Sequence, residues 1–125
     1  ARHVGRGWSI HDGHAAAMQV LDVPPSRRPT ALFAVCDRVA AGALLAAARL
    51  GASVPEDLSI IGFDDQEALA ESLVPPLTTV ALPHALMGET AVELALAVAR
   101  GEQPDPPQRI LPCPLVVRDS TARPR

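Results

Sequence analysis

The sequence predicts an α/β domain built on a parallel sheet, and two features of its pattern carry that prediction. Short apolar runs alternate with segments of helix length, which is typical of parallel strands joined by helical crossovers. One run contains the apolar residues Leu58, Ile60 and Ile61 and is bordered by Pro55 and Gly62. A strand of this kind is expected at the centre of the sheet, with cover on both faces.

The first predicted element is a helix that begins after Ser9. Ser9 and Asp12 have the spacing of a capping box, with Asp12 in place of the usual Glu or Gln. The helix continues through the Ala15–Leu21 run. The proline-rich segment over 23–29 then prevents regular structure.

A second buried strand is predicted over Ala31–Val35. Asp37 follows it as the predicted N-cap of a helix from Arg38 to Leu50, which Gly51 ends. Between its two arginines this helix carries no polar side chain. Because a single apolar stripe is enough to cover a sheet, the second apolar face predicts a subunit interface. The alternative is an alanine-rich composition without a partner.

The remaining elements are predicted from apolar runs and their proline or glycine borders. In chain order they are helical turns over 66–72, a strand over Leu77–Val80, a helix over His84–Arg100, and strands over Ile110–Leu111 and Leu115–Val117. The polar tail from Asp119 is expected to fray.

Composition excludes several classes of protein. The chain has 125 residues, a length that fits one small domain or one lobe of a larger one. The net charge is −3 and the arginines are scattered, so no nucleic-acid-binding face is predicted. No run is long and apolar enough to cross a membrane. Cys36 and Cys113 are far apart in the sequence, which indicates reduced thiols and a cytoplasmic location.

Polar or aromatic residues stand at three predicted strand-to-helix junctions. Trp8, Cys36 and Asp64 would line the carboxyl edge of a parallel sheet, where ligands bind in such folds. An indole can stack on a sugar or a base, and a carboxylate can accept hydrogen bonds from ligand hydroxyls. Core packing is an equal alternative for Trp8, whereas Asp65 is predicted to be a turn or cap residue.

No catalytic residue, metal site or cofactor is predicted. His11 and His14 are three residues apart but lack a third ligand. The sequence has neither a phosphate-binding loop nor a dinucleotide fingerprint. A hydrolase that uses Cys36 as its nucleophile is an alternative, but no base for it is identifiable.

Four stretches resemble the LacI/GalR bacterial transcriptional regulators in order and spacing. They are Pro29–Asp37, Val54–Asp65, Pro75–Val80 and Leu115–Thr121. The resemblance implies a type I periplasmic-binding-protein-like fold, of which this chain would form a parallel-sheet, three-layer lobe. It implies that residues 1–125 are the C-terminal part of an effector-binding and dimerisation domain. The helix over 84–100 would belong to the otherwise missing N-terminal lobe.

The resemblance also assigns roles to individual residues. Trp8, Cys36, Asp64 and His84 match effector-binding positions, although the family usually has Asn at the position of Cys36. A thiol replaces the hydrogen-bonding amide poorly, so this position departs from the family's pattern. The residues that match the dimer surface are Val39, Ala43, Leu44, Ala47, Leu69 and Leu73.

The function implied by this resemblance is that of a ligand-responsive regulator and not of an enzyme. Its partners would be a small-molecule effector, expected to be a sugar or a related metabolite, and a second copy of the chain. Operator DNA would bind only through a helix-turn-helix that these 125 residues lack. The alternative within the same fold is a periplasmic sugar-binding protein for transport.

Overall fold

Helices and strands alternate along the chain in the computed structural model, which describes Gly5 and residues 7–123. The elements are α1 (Ile10–Leu21), a short 3₁₀ turn (Pro25–Arg27), β1 (Ala31–Phe33), α2 (Asp37–Arg49), β2 (Ser59–Asp64), β3 (Thr78–Ala81), α3 (His84–Ala99) and β4 (Leu115–Val116). The predicted strand over Ile110–Leu111 is wrong, because these residues form no ladder in the structure.

The four strands form one sheet in the order β1-β2-β3-β4. β1, β2 and β3 run parallel, and β4 pairs antiparallel with β3 at the edge. This confirms the predicted α/β class with a mainly parallel sheet. The chain divides into two compact units: residues up to Ala81 together with those from Leu115, and the segment Leu82–Pro114.

β2 is central in the sheet, as predicted, but its two faces differ in burial. Ile60 is fully buried in the apolar core that α1 and α2 help to form. On the opposite face Phe33 packs its ring edge-to-face with Phe63, at 6.4 Å between centroids, yet remains 65% exposed. Within the described residues the cover expected on both faces is therefore complete on one face only.

α1 begins with the predicted capping box. The Ser9 hydroxyl accepts from the Asp12 amide at 3.1 Å, and the Asp12 carboxylate accepts from the Ser9 amide at 3.0 Å. Two backbone donors that a helix start leaves without intrahelical partners are thereby satisfied.

α1 and α2 cross in close contact at two glycines. A Cβ added to Gly13 would overlap the backbone of Val39, and one added to Gly42 would overlap the backbone of Ile10 and His14. Because both positions lack a side chain, the helix backbones approach closely. The second apolar face of α2 is therefore buried against a helix of the same chain.

This packing corrects part of the predicted dimer surface. Ala43, Leu44 and Ala47 keep at most 8% exposure and lie in the chain's own apolar core. They are not available to a second subunit, because α1 and the sheet already cover them. The outward leucine of α2 is Leu45, which is 57% exposed.

α2 ends as predicted and starts differently. Gly51 adopts a φ of +64°, and the Ala52 amide donates to the Ala47 carbonyl at 2.9 Å, which closes a Schellman motif. The predicted N-cap is wrong: Cys36 occupies that position, and Asp37 is the first helical residue. The carboxylate of Asp37 does not cap the helix, because it accepts hydrogen bonds from Gln66 and Thr79 instead.

The tail after β4 is held by hydrogen bonds as far as the structure describes it and does not fray there as expected. Residues 124 and 125, which belong to the same prediction, lie outside the described residues. Ser120 is fully buried, and its hydroxyl accepts from the Thr78 amide at 2.8 Å and donates to the Ile60 carbonyl at 2.6 Å. The Ile60 amide donates to the Ser120 carbonyl at 2.8 Å. The tail thus joins the starts of β2 and β3, so backbone pairing decides its order despite its polar composition.

The second unit contains α3, and none of the residues of this helix is buried. Large apolar side chains are exposed along it, namely Leu86, Met87, Val92, Leu96 and Val98. Gly101, with a φ of +78°, ends the helix as predicted, and the Glu102 amide donates to the Ala97 carbonyl at 3.0 Å.

Candidate functional site

The candidate site lies in the first unit, where the parallel strands end. Cys36 follows β1 and Asp64 is the last residue of β2. Trp8 immediately precedes the N-cap of α1, and its carbonyl oxygen is 3.7 Å from the Cys36 thiol, which donates to it. The structure therefore brings two of the predicted effector residues, Trp8 and Cys36, into direct contact.

The Trp8 side chain is 69% exposed. Within this chain the indole is therefore outside the apolar core and is accessible to an apolar ligand face. Cys36 is buried, by contrast, so its sulfur is enclosed rather than presented to solvent. Its hydrogen bond to a carbonyl gives no sign of a base that would make it a nucleophile.

The turn after β2 has an unusual backbone. Asp64 has a φ of +115° and Asp65 a φ of +52°, values that residues other than glycine seldom adopt. Both side chains are half-buried. The Asp65 carboxylate forms an ion pair with Arg118 at 2.8 Å, which assigns Asp65 a partner within the chain.

Asp37, which the sequence places at a strand-to-helix junction but predicts to be a helix cap, has a different role in the structure. It is fully buried, and its carboxylate accepts from the Thr79 hydroxyl and from the Gln66 amide, each at 2.6 Å. Gly62 makes room for this carboxylate, since a Cβ there would overlap Asp37 Oδ1. A signal was present in the sequence: a carboxylate that soon follows a predicted strand lies near the sheet's carboxyl edge.

The fourth predicted effector residue lies in the second unit. His84 is the first residue of α3, and its amide donates to the Leu82 carbonyl at 2.9 Å. The structure thus groups Trp8, Cys36 and Asp64 at the strand ends of one unit. The participation of His84 stays a prediction.

The remaining predicted dimer residues are partly exposed. Val39, Leu69 and Leu73 are each half-buried, with Val39 and Leu73 packed at the border of the core. These three positions can still contribute to a contact with a second subunit, unlike the buried part of α2.

Metal centres and membrane-spanning helices are both absent from the part of the chain that the structure describes. No group of three or more His, Cys, Asp and Glu side chains there could hold a metal ion. In the same part, no helix combines the length and apolar character needed to cross a membrane.

Known proteins similar to this chain include transcriptional regulators. The family described as periplasmic binding protein-like domain matches residues 2–121. The HTH-type transcriptional repressor CytR of Escherichia coli (strain K12) is 41% identical over 121 residues, which are 96% of this chain and 35% of the relative. The HTH-type transcriptional regulator DegA of Bacillus subtilis (strain 168) is 44% identical over 92% of this chain and 33% of its own length.

Solved structures agree with these relatives. A LacI-family regulatory protein from Chloroflexus aggregans has a TM-score of 0.84 and 36% identity, over 94% of this chain and 41% of its own. The dimeric Lac repressor has a TM-score of 0.82 and 33% identity, over 94% and 42%. A LacI-family regulator from Arthrobacter sp. FB24, in complex with lactose, has a TM-score of 0.81 and 32% identity, over 95% and 45%.

Proposed function

Since the chain belongs to the LacI family of regulators and to their periplasmic-binding-protein-like domain, we propose that it is the effector-binding and dimerisation part of a ligand-responsive transcriptional regulator. The match of residues 2–121 to that domain carries the proposal. The chain spans about a third of the length of the curated relatives it matches. We assign operator binding in the whole protein to a helix-turn-helix outside these 125 residues. We also propose that the whole protein acts in the cytoplasm.

The proposed effector is a small molecule of the sugar class. Support comes from the Arthrobacter relative, which was solved with lactose, and from the exposed indole of Trp8 at the strand ends. Trp8 would stack on the apolar face of a sugar ring, and Asp64 would accept hydrogen bonds from its hydroxyls. Cys36, whose buried thiol donates to the Trp8 carbonyl, would help to hold Trp8 in place. A role for His84 in effector binding is proposed on the resemblance alone.

The proposed mechanism is a shift between closure states. α3, with its exposed apolar surface, would belong to a second lobe of the whole protein, and effector binding would favour one closure state of that protein. An effector that binds one closure state more tightly raises the population of that state. The change alters how a dimer presents its two DNA-binding modules, which couples effector binding to operator binding.

A homodimer is proposed because a relative of similar structure is the dimeric Lac repressor. Val39, Leu69 and Leu73 are the predicted interface residues that the fold leaves partly exposed. Leu45 joins them as the outward leucine of α2.

Effector binding is tested with Trp8→Ala and Asp64→Asn in the full-length protein. Titration calorimetry with lactose, sucrose and glucose should show binding of at least one sugar. Each substitution is expected to weaken that binding by about tenfold, the equivalent of one lost stacking contact or charge-assisted hydrogen bond. Asn is chosen at position 64 because it also tolerates a positive φ.

Two matched controls accompany these variants. Val74→Ala removes an exposed apolar side chain that precedes β3, at the opposite end of the sheet. Glu67→Gln neutralises an exposed carboxylate three residues from Asp64. Sugar affinity that falls equally in the controls would contradict the assigned site.

Regulation is tested by selecting duplexes that the full-length protein binds from a random DNA pool. We expect enrichment of a sequence with two-fold symmetry, which mirrors the symmetry of a dimer. The bound sugar should then change the affinity for that duplex. Absence of any enriched sequence would favour the transport alternative, and sequence-specific binding by residues 1–125 alone would refute the assignment of DNA contact to another segment.

A further inference from the structure

We propose that Asp37 and Arg118 are positioning residues that hold the turn Asp64–Gln66 in its left-handed conformation and so fix the direction of the Asp64 carboxylate. This inference rests on the proposed function, because it gives the two residues a role through Asp64. Neither residue is assigned to contact the effector.

The first argument is the backbone of the turn. Two successive residues, Asp64 and Asp65, have positive φ values, and the +115° of Asp64 lies beyond the usual left-handed well. Backbone of this kind persists only where surrounding contacts over-determine it, and it concentrates at ligand-binding sites. The turn therefore needs restraints from outside its own sequence.

Asp37, the first residue of α2, supplies one of these restraints. One carboxylate oxygen accepts from the backbone amide of Gln66, which directly follows the strained pair. The other accepts from the Thr79 hydroxyl on β3. Both bonds are 2.6 Å long, and the carboxylate is fully buried. Asp37 thereby joins the start of α2, the neighbouring strand and the turn in one rigid group.

Arg118 supplies the restraint from the packed tail. Its guanidinium donates to the Leu77 carbonyl at 2.9 Å and pairs with Asp65 at 2.8 Å. The Arg118 amide also donates to the Thr78 hydroxyl at 2.9 Å, so the arginine backbone is itself fixed. The two anchors hold the turn at consecutive positions, the Asp65 side chain and the Gln66 amide.

The test uses the full-length protein with Asp37→Asn, Thr79→Val and Arg118→Gln. An asparagine has one acceptor oxygen where aspartate has two, and a valine keeps the shape of threonine without its hydroxyl. Hydrogen exchange by mass spectrometry follows the peptide that contains Gln66, and NMR records the Cα shifts of Asp64 and Asp65. We expect exchange to rise about tenfold and the Cα shifts to move away from left-handed values.

Ser120→Ala is the matched control. It also removes a fully buried hydroxyl with two hydrogen bonds, but at the starts of β2 and β3 instead of their ends. Arg118→Lys keeps the positive charge and is expected to restore most of the protection that Arg118→Gln loses. Changes at residues 64–66 no larger than those in Ser120→Ala would overturn the proposal.

Binding of lactose, sucrose and glucose to the same variants separates this inference from the proposed function. If the wild type binds a sugar, the three variants should weaken its binding at least fivefold more than Ser120→Ala does, and equal weakening would overturn the positioning role. If the wild type binds none of the three, the sugar-effector proposal fails. The exchange and Cα-shift results still decide whether Asp37 and Arg118 hold the turn.

Discussion

Asp12 combines a structural role with a titratable group. The Ser9 hydroxyl and then the Ser9 backbone amide, which both donate to its carboxylate, lower the pKa of Asp12 below its ordinary value of 3.8. A carboxyl whose pKa is lower in the folded state stabilises the protein above its unfolded pKa, and this stabilisation is lost as the pH falls through the folded pKa. The start of α1 should therefore weaken under acid conditions.

The prediction is tested with Asp12→Ala in thermal unfolding at a series of pH values. The wild type should have the higher Tm near neutral pH, because its capping box is intact. The difference should shrink as the pH falls below about 4, where the carboxyl of the unfolded chain becomes protonated first, and should be lost once the folded carboxyl is protonated too. A difference that stays constant down to about pH 3 would show that the charge of Asp12 does not contribute.

Residue roles were predictable from the sequence only where the partners are close in the chain. Ser9 and Asp12 are three positions apart, so their capping box is visible as a motif. Asp37 bonds to Gln66 and Thr79, which lie 29 and 42 positions away. The cap interpretation of Asp37 was the best local one, but the strand register brings better donors to its carboxylate.

At the scale of elements, the contact between α1 and α2 depends on two missing side chains. Gly42→Ala would place a Cβ against the backbone of Ile10 and His14, which cannot move aside as a flexible side chain can. We expect a loss of about 2 kcal/mol or more in the free energy of unfolding, typical of overpacking. Chemical denaturation of the full-length protein measures it.

Gly88→Ala is the control for this prediction. Gly88 is also a helical glycine, but a Cβ there would meet nothing within 4 Å. The same substitution should then be neutral or stabilise by about 0.5–1 kcal/mol, since alanine favours helix. Equal destabilisation by both substitutions would contradict the close helix contact at Gly42.

The positions of the helices and strands along the chain were easier to predict from the sequence than the element against which each apolar face packs. Proline and glycine borders marked the helices closely, and Gly51 and Gly101 end α2 and α3 as expected. The apolar second face of α2 was visible too, but its partner was not. Two glycines separated by 29 positions, Gly13 and Gly42, must meet for α1 to cover it, and no local pattern encodes that meeting.

For the whole molecule, the alternation of strands and helix-length spacers was enough to predict a parallel sheet, because only crossovers of that length join parallel strands. The packed tail was not predictable from its polar composition. The Ser120 hydroxyl binds backbone groups at the starts of β2 and β3, so the order of the tail depends on the completed sheet. Polar residues become buried when a sheet supplies their hydrogen-bond partners.

Two adjacent leucines of α2 differ in exposure, so they should differ in their effect on subunit association. Leu44 and Leu45 are adjacent and equally apolar, but Leu44 is 8% exposed in the core and Leu45 is 57% exposed. Leu45→Glu should therefore leave each subunit folded and weaken a dimer that uses this face. Leu44→Glu should unfold the chain instead, because it buries an unpaired charge.

Light scattering of the full-length protein, combined with far-UV circular dichroism, distinguishes these outcomes. In a two-fold symmetric dimer the substituted residue occurs once in each subunit, so its cost is incurred twice. Burying a leucine fully contributes about 1.5–3 kcal/mol, and a glutamate at the same place adds a charge, so the dimer Kd should rise at least about tenfold. A Leu45→Glu protein that stays folded and dimeric at the wild-type Kd would exclude this face of α2 from the interface. The half-buried residues Leu69 and Leu73 would then be the next positions to substitute.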